Sequence, residues 1–258
     1  MSVLLSEKYT SDIDPTGYYM SEKLDGIRAI WDGENLVSRN GNIFGAPQWF
    51  KDILPSNKLD GELFLGRKRF EQTSSIIRSG SMDKGWKNIS FMTFDIPDPK
   101  AGKVEARWAK LQSIVNGVNH PQLQFLQQIK CTGFNQLMHL LDAVIELGAE
   151  GLMLRKPGST YEGKKSSTLL KLKRFLDAEA VVIGYTTLIS AGVPVPGAMG
   201  ALECVLPNGI DFKVGTGFSD IQRKNPPKIG STITFKYQEL SAIGKPRFPV
   251  YVGVRDYE

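Results

Sequence analysis

The 258 residues predict an α+β domain with mixed and antiparallel sheets over residues 1–175, followed by a small all-β barrel over residues 176–258. Three observations carry this reading. Short apolar runs separated by turn dipeptides fill the first part of the chain, and an apolar stripe at helical spacing occupies Phe134 to Leu147. After Lys171-Leu172-Lys173-Arg174-Phe175 the chain reads as successive strands, with no long amphipathic helix.

From Tyr18 to about Leu65 the strands are divided by Asp32-Gly33, Asn40-Gly41 and Asp60-Gly61, each a turn signal. Phe70 to Arg78 fits a helix. Phe91-Met92-Thr93-Phe94-Asp95-Ile96 reads as a strand ended by Pro97 and Pro99. In Phe134 to Leu147 the residues Leu137, Leu140, Leu141, Val144 and Ile145 follow helical spacing, and Gly148 is placed to stop the helix. Beyond Phe175, strands are expected at Glu179 to Thr187, Ala201 to Leu206, Ile210 to Val214 and Thr232 to Tyr237. Pro207-Asn208-Gly209 supplies a hairpin turn between two of them, which suits a Greek-key barrel. Ile189 to Met199, rich in Gly and Pro, reads as a mobile loop of this second domain.

Composition narrows the function classes. Hydrophobic content of 41% supports a real core, and a net charge of +5 agrees with a polyanionic partner. No run approaches the roughly 18 apolar residues of a membrane span, so no membrane partner is expected. The opening Met1-Ser2-Val3-Leu4-Leu5-Ser6-Glu7-Lys8 is too short for a secretory leader, which leaves the cytoplasm or, for a processed chain, the periplasm. Cys131 and Cys204 lie far apart with no CxxC partner, which excludes a four-cysteine zinc module. His120 and His139 are too few for a histidine-rich metal site and read as structural.

Chemistry concentrates at predicted strand ends. Glu22-Lys23-Leu24-Asp25-Gly26-Ile27-Arg28 sets one amine among two carboxylates, a glycine and a second cation, which suggests a nucleophilic lysine. A free lysine, with a pKa of about 10.4, is almost wholly protonated at neutrality, so only a tuned site makes it a nucleophile. Further segments share the pattern. Ser38-Arg39-Asn40-Gly41 would hold an arginine fork at a turn, and Leu59-Asp60-Gly61-Glu62-Leu63 offers a carboxylate for a hydroxyl or a metal. Phe94 could stack on a base, Glu150 precedes a strand in Glu150-Gly151-Leu152-Met153-Leu154-Arg155, and the alternation in Leu170-Lys171-Leu172-Lys173 sends both ammonium groups to one face. Each residue alone is as readily a solvated charge or a core aromatic. Together they meet the needs of a polyphosphate: cations for its oxygens, carboxylates for a metal, an aromatic plane for its base and an in-line nucleophile.

The ordered set KLDGIR, SRNG, LDGEL, FDI, EGLMLR and LLKLKRF, spanning Lys23 to Phe175, resembles the covalent nucleotidyltransferase superfamily of ATP-dependent DNA ligases, RNA ligases and mRNA capping enzymes. Residues 177–258 resemble the OB domain that follows in DNA ligases, notably at Phe212-Lys213-Val214-Gly215-Thr216-Gly217-Phe218-Ser219-Asp220 and Pro246-Arg247-Phe248-Pro249. The whole chain looks like the minimal two-domain bacterial ligases of the Lig E type. The resemblance implies a nucleotidyltransferase (adenylation) domain followed by an OB-fold barrel, with ATP and Mg²⁺ or Mn²⁺ as cofactors.

By the same resemblance, Lys23 would be the adenylated nucleophile, with Glu22 beside it in the nucleotide site and Asp25 and Gly26 shaping the pocket. Arg28 and Arg39 would hold phosphates of the nucleotide or the nick, Glu62 would contact the ribose, and Phe94 would stack on adenine. Glu150, with Glu62 as a further carboxylate, would bind the metal, and Lys171 and Lys173 would bind the AMP phosphate. In the C-terminal tract Val254-Arg255-Asp256-Tyr257-Glu258, Arg255 would contact pyrophosphate, although the lysine common at the end of this tract in DNA ligases is missing. The expected partner is nicked double-stranded DNA, bound by a monomer. Candidate contacts are Arg67 and Lys68, Lys164 and Lys165, and Arg223 and Lys224, with Arg39 at the nick. KxDG alone selects neither base nor strand, so an RNA ligase or a GTP-using capping enzyme shares it, and a nucleic-acid binder with an inert pocket is the rival from another class.

Overall fold

A computed structural model describes residues 2–82 and 84–255, and divides into two compact units, Met1–Lys173 and Arg174–Glu258. In the first unit the elements are β1 (Leu5–Lys8), β2 (Tyr19–Glu22), β3 (Ile27–Trp31), β4 (Leu36–Val37), α1 (Gln48–Lys51), β5 (Leu59–Phe64), α2 (Phe70–Ser79), β6 (Ser90–Asp95), α3 (Val104–Val118), β7 (Leu123–Phe125), β8 (Ile129–Lys130), α4 (Phe134–Glu146), β9 (Leu152–Arg155) and β10 (Lys165–Leu172). They build two five-stranded sheets, ordered β1-β10-β9-β2-β8 and β4-β3-β5-β6-β7. Each holds one parallel pair, β1 with β10 and β6 with β7, among antiparallel neighbours, so both sheets are mixed.

Each sheet carries its own core. Leu137, Leu141 and Val144 of α4 pack on Met20, Leu152, Leu154 and Leu170 of the first sheet, which is why that helix has an apolar stripe. On the second sheet, Trp108, Leu111 and Val115 of α3 cluster with Phe91, Leu63 and Leu123. Helix α3 is an element not among those expected above, although Val104, Trp108, Leu111 and Val115 stand at helical spacing. Among the described residues no helix is long and apolar enough to cross a membrane.

Asp60-Gly61, read as a turn, lies inside β5. The pair satisfies a strand because Asp60 is fully buried against Arg28, and because a side chain at Gly61 would stand 2.7 Å from the Phe91 ring and from the Met92 carbonyl oxygen. The residues suit a turn by composition, and tertiary contacts decide otherwise.

The second unit contains β11 (Leu176–Ser190), β12 (Val193–Val205), β13 (Asp211–Val214), α5 (Asp220–Lys224), β14 (Thr232–Tyr237), β15 (Glu239–Leu240), β16 (Pro246–Arg247) and β17 (Val250–Val254). Five strands form an antiparallel sheet ordered β13-β12-β11-β14-β17, and a bridge between Thr216 and Val250 joins its two edges. The expected mobile loop at Ile189 to Met199 is instead the end of a β-hairpin, with Ser190 paired to Val193 and Ile189 to Pro194. Ala191 and Gly192 both take positive φ, 50° and 80°, the conformation of a two-residue hairpin turn. Pro194 and Pro196 fit because β13 pairs only with Leu202 to Val205, so the first half of β12 is an edge strand that needs no N–H on its outer side. Pro207-Asn208-Gly209 is the hairpin turn between β12 and β13, closed by Leu206 N–H to the Ile210 carbonyl at 2.9 Å.

Candidate active site

A cavity of about 250 Å³ opens in the first unit, lined from both sheets. Leu5 and Ser6 of β1, Ser21 and Glu22 of β2, Met153 and Arg155 of β9 and Leu169 of β10 face Arg28 of β3, Glu62 of β5 and Phe94 of β6. Lys23 and Leu24, just past β2, and Trp108 of α3 complete much of the wall.

Lys23 is fixed at the strand end by its backbone, whose N–H donates to the Gly151 carbonyl at 2.8 Å. Its Nζ donates to Oε2 of Glu150 at 2.5 Å, and Lys173 Nζ donates to the other oxygen of the same carboxylate. One carboxylate thus sits between two ammonium groups. Burial, then the nearby Lys23, lowers the Lys173 pKa below the ordinary lysine value, against the opposing pull of Glu150. Lys171 is exposed on β10 and adds a smaller lowering influence on Lys173.

Gly26 has a packing reason. A Cβ there would stand 2.4 Å from the Leu63 carbonyl oxygen and 2.8 Å from Cγ of Glu62, so only glycine lets the lysine-bearing segment lie against β5. Glu62 itself is pushed up to about 8 by burial, with Lys23 and Arg28 pulling the other way.

Two buried polar networks stand behind the pocket, and the sequence reading foresaw neither. In the first, Arg28 donates Nε and Nη2 to Asp60 at 3.0 and 2.6 Å and Nη1 to the Leu4 carbonyl at 2.7 Å. Tyr161 donates its hydroxyl to Asp60 at 2.8 Å. The Arg28 guanidinium lies 5.4 Å from the Phe94 ring centroid, stacked as a cation on an aromatic face. In the second, Asp95 accepts from Arg107 at 2.7 and 3.1 Å and lies 3.0 Å from Nη2 of Arg155. Trp108 donates its indole N–H to the Phe94 carbonyl at 2.8 Å.

The remaining sequence candidates fall outside the pocket wall. Arg39 is exposed in its turn. Arg67 donates Nε and Nη2 to Glu22 at 2.9 and 2.7 Å, which ties it to the cavity mouth. Lys68 takes a φ of 58°, and Lys164, 72% exposed, lies 3.3 Å from Glu162. Lys165 and Lys224 are exposed. Arg223 is engaged inside the barrel, donating to the carbonyls of Met199, Gly200 and Gly215 at 3.1, 2.7 and 2.9 Å. Arg255 belongs to the second unit, where it ion-pairs with Glu179; Asp256, Tyr257 and Glu258 of its tract lie outside the described residues.

Among the described residues no group of three His, Cys, Asp or Glu side chains converges as a metal cage. The donor set present suits a different kind of ion, one that takes one or two carboxylates and completes its shell with phosphate oxygens and water, as Mg²⁺ does. Glu150, at the phosphate-friendly end among lysines, fits that role. A metal ligand must be ionised, and the high pKa of Glu62 makes that carboxyl better suited to a hydroxyl partner.

Comparison with known proteins shows the family. Residues 5–173 match the model of the ATP dependent DNA ligase domain, and residues 195–255 match that of the DNA ligase OB-like domain. A DNA ligase of Haemophilus influenzae is 39% identical over 237 residues, covering 91% of this chain and 85% of the relative. A solved Lig E DNA ligase, from work on DNA binding with a minimal scaffold, superposes with a TM-score of 0.91 at 37% identity, over 99% of both chains. Chlorella virus DNA ligase-adenylate is similar at a TM-score of 0.58 and 27% identity, covering 100% of this chain and 99% of that one.

Proposed function

The chain belongs to the ATP-dependent DNA ligase family, and from that premise we propose that its two-sheet pocket loads AMP onto Lys23 and passes it to the 5′-phosphate of a nick in duplex DNA. The observation that carries this reading is Lys23 at the cavity wall, its amine paired with Glu150 and its neighbour Lys173 on the same carboxylate.

Lys23 Nζ must lose its proton to solvent before it can attack, because Glu150, its hydrogen-bonded partner, must stay ionised to hold a metal. The amine then attacks the α-phosphorus of ATP; a P–N bond forms, the bond to pyrophosphate breaks, and pyrophosphate leaves. Lys173 and Lys171 hold the phosphate oxygens as charge shifts onto them. Phe94 stacks on the base, backed by Arg28, and the largely neutral Glu62 carboxyl exchanges hydrogen bonds with the ribose hydroxyls. Glu150, relieved of its ammonium partner, would hold the divalent cation, Mg²⁺ or Mn²⁺, which supplies charge neutralisation at the phosphates. In the second step the nick's 5′-phosphate displaces Lys23 from AMP. In the third, the 3′-hydroxyl attacks the activated phosphate and AMP departs.

For DNA we assign Lys164, Lys165, Lys68 and Arg39 as backbone contacts made by a monomer, and Lys224 on the barrel. Arg67 and Arg223 have internal partners and are left out of the set. Arg255 is assigned to the pyrophosphate. The test is sealing of a nicked duplex with ATP and Mg²⁺. Wild type should join the strands and Lys23→Ala should not; a Lys23→Ala protein that seals at the wild-type rate would refute the assignment. Using GTP in parallel separates a capping-type transferase, which would label with GTP alone.

A further inference from the structure

We propose that Trp108 is a positioning residue for the base-stacking ring: its indole N–H holds the strand bulge on which Phe94 stands, and so fixes the plane that Phe94 offers to the base. This rests on the reading of Phe94 above and adds to it the residue that keeps the ring in place.

Phe94 is not an ordinary strand residue. Along β5 and β6, Gly61 pairs with Thr93 and Asp60 with Asp95, so Phe94 is one residue more than β5 can match. Such a bulge interrupts the ladder, bends its strand and turns a side chain in a new direction. Here the turned ring lines the cavity, with the Arg28 guanidinium 5.4 Å from its centroid.

Two consecutive residues of α3 grip this bulge. Arg107 donates to the Asp95 carboxylate at 2.7 and 3.1 Å, and Trp108 donates Nε1 to the Phe94 carbonyl at 2.8 Å. The first contact joins fully buried charges and anchors the helix to the strand end. The second reaches the extra residue itself. The indole is in turn braced from the other sheet, where Tyr19 of β2 meets it edge-on, with centroids 5.1 Å apart and planes at 82°. Tyr19 donates its hydroxyl to Glu105, one turn earlier on α3, at 3.1 Å, and Glu105 also accepts from the Gly158 N–H at 2.9 Å.

An indole has one donor and no acceptor. Trp108 lines the cavity, but its single polar group is engaged by the Phe94 carbonyl and is not turned to a ligand. What it contributes to nucleotide binding therefore passes through Phe94. Without that bond the bulged peptide is no longer held and the ring loses its fixed plane. Aromatic stacking is favourable only in particular offsets and angles, so a loosened ring binds the base less well while the phosphate chemistry at Lys23 is untouched.

A double-mutant cycle tests this. Lys23 labelling by ATP is followed in wild type, Trp108→Phe, Phe94→Leu and the double variant, with the melting temperature of each nucleotide-free protein. Trp108→Phe keeps a ring on α3 and removes the donor. It should raise the ATP concentration for half-maximal labelling about 2- to 10-fold, the range of a neutral hydrogen bond, and leave the rate at saturating ATP unchanged. In the Phe94→Leu background the same substitution should add nothing to the half-saturating concentration, because the two residues act as one unit. An equal effect in both backgrounds would overturn the proposal, since the indole would then act on the nucleotide directly or through the fold at large. So would wild-type half-saturation in Trp108→Phe. If the phenylalanine variant fails to fold, Trp108→Met goes through the same cycle and must show the same coupling. Phe94→Leu labelled at the wild-type half-saturation would instead remove the stacking reading itself, so the two failures are distinguishable.

Discussion

Glu62 shows how one residue's environment sets its chemistry. Burial lifts its carboxyl to about 8, against Lys23 and Arg28, so the folded protein holds a proton there that an unfolded chain releases near pH 4.5. Between those two values the native state binds more protons than the unfolded one, and stability falls as pH rises. The deficit is complete above pH 8. Glu62→Gln removes it, so the nucleotide-free variant should match wild type near pH 4.5 and exceed it by about 5 kcal/mol above pH 8, about 1.4 kcal/mol for each pH unit between the two values, read from urea unfolding across that range. A constant difference at all pH values would remove the titration as its cause. Lys23, Glu62 and Glu150 were legible in the sequence because each stands in a short tract of charges around a glycine. Asp95 and Arg107 carried no such signal, and Asp60 and Arg155, although they stand in the tracts of Glu62 and Glu150, gave no hint of their partners, since what defines all four is pairing across distant segments: Arg107 with Asp95, and Tyr161 with Asp60.

At the level of elements, the pocket depends on two sheets approaching closely enough for a strand end of one to reach a strand of the other. Gly26 lies on the segment that leads from β2 of one sheet into β3 of the other, with no room for a Cβ against Leu63 and Glu62. Gly26→Ala should therefore lower stability by about 1–3 kcal/mol, the usual penalty for overpacking, and displace Lys23 from Glu150. Denaturant unfolding together with the rate of Lys23 labelling checks both parts; full stability with normal labelling would show that the segment can move aside. Local pattern found α2, α4, β6 and β14 with nearly their observed limits, because a helical stripe or an alternating run is complete within its own segment. It failed where neighbours decide. The Pro-rich stretch after Ser190 pairs as a hairpin because its outer edge has no partner to disappoint, and Asp60-Gly61 stays extended because Arg28 and Phe91 need it so.

For the whole molecule, a net charge of +5 and exposed lysines at Lys164 and Lys165 point to recognition of the DNA backbone, not of sequence. Double substitution Lys164→Ala/Lys165→Ala should weaken nick binding and flatten the dependence of log K on log salt by about 0.9 for each phosphate no longer neutralised, with Lys23 labelling by ATP unchanged. An unaltered slope would take that segment off the DNA-binding face. The whole mechanism turns on a covalent intermediate at one amine. Intact-mass and peptide mass spectrometry of the protein incubated with ATP and Mg²⁺ measures it directly: a single AMP adduct mapped to Lys23 and absent in Lys23→Ala is the predicted result, and a wild-type protein without the adduct, or with AMP on another residue, would contradict it.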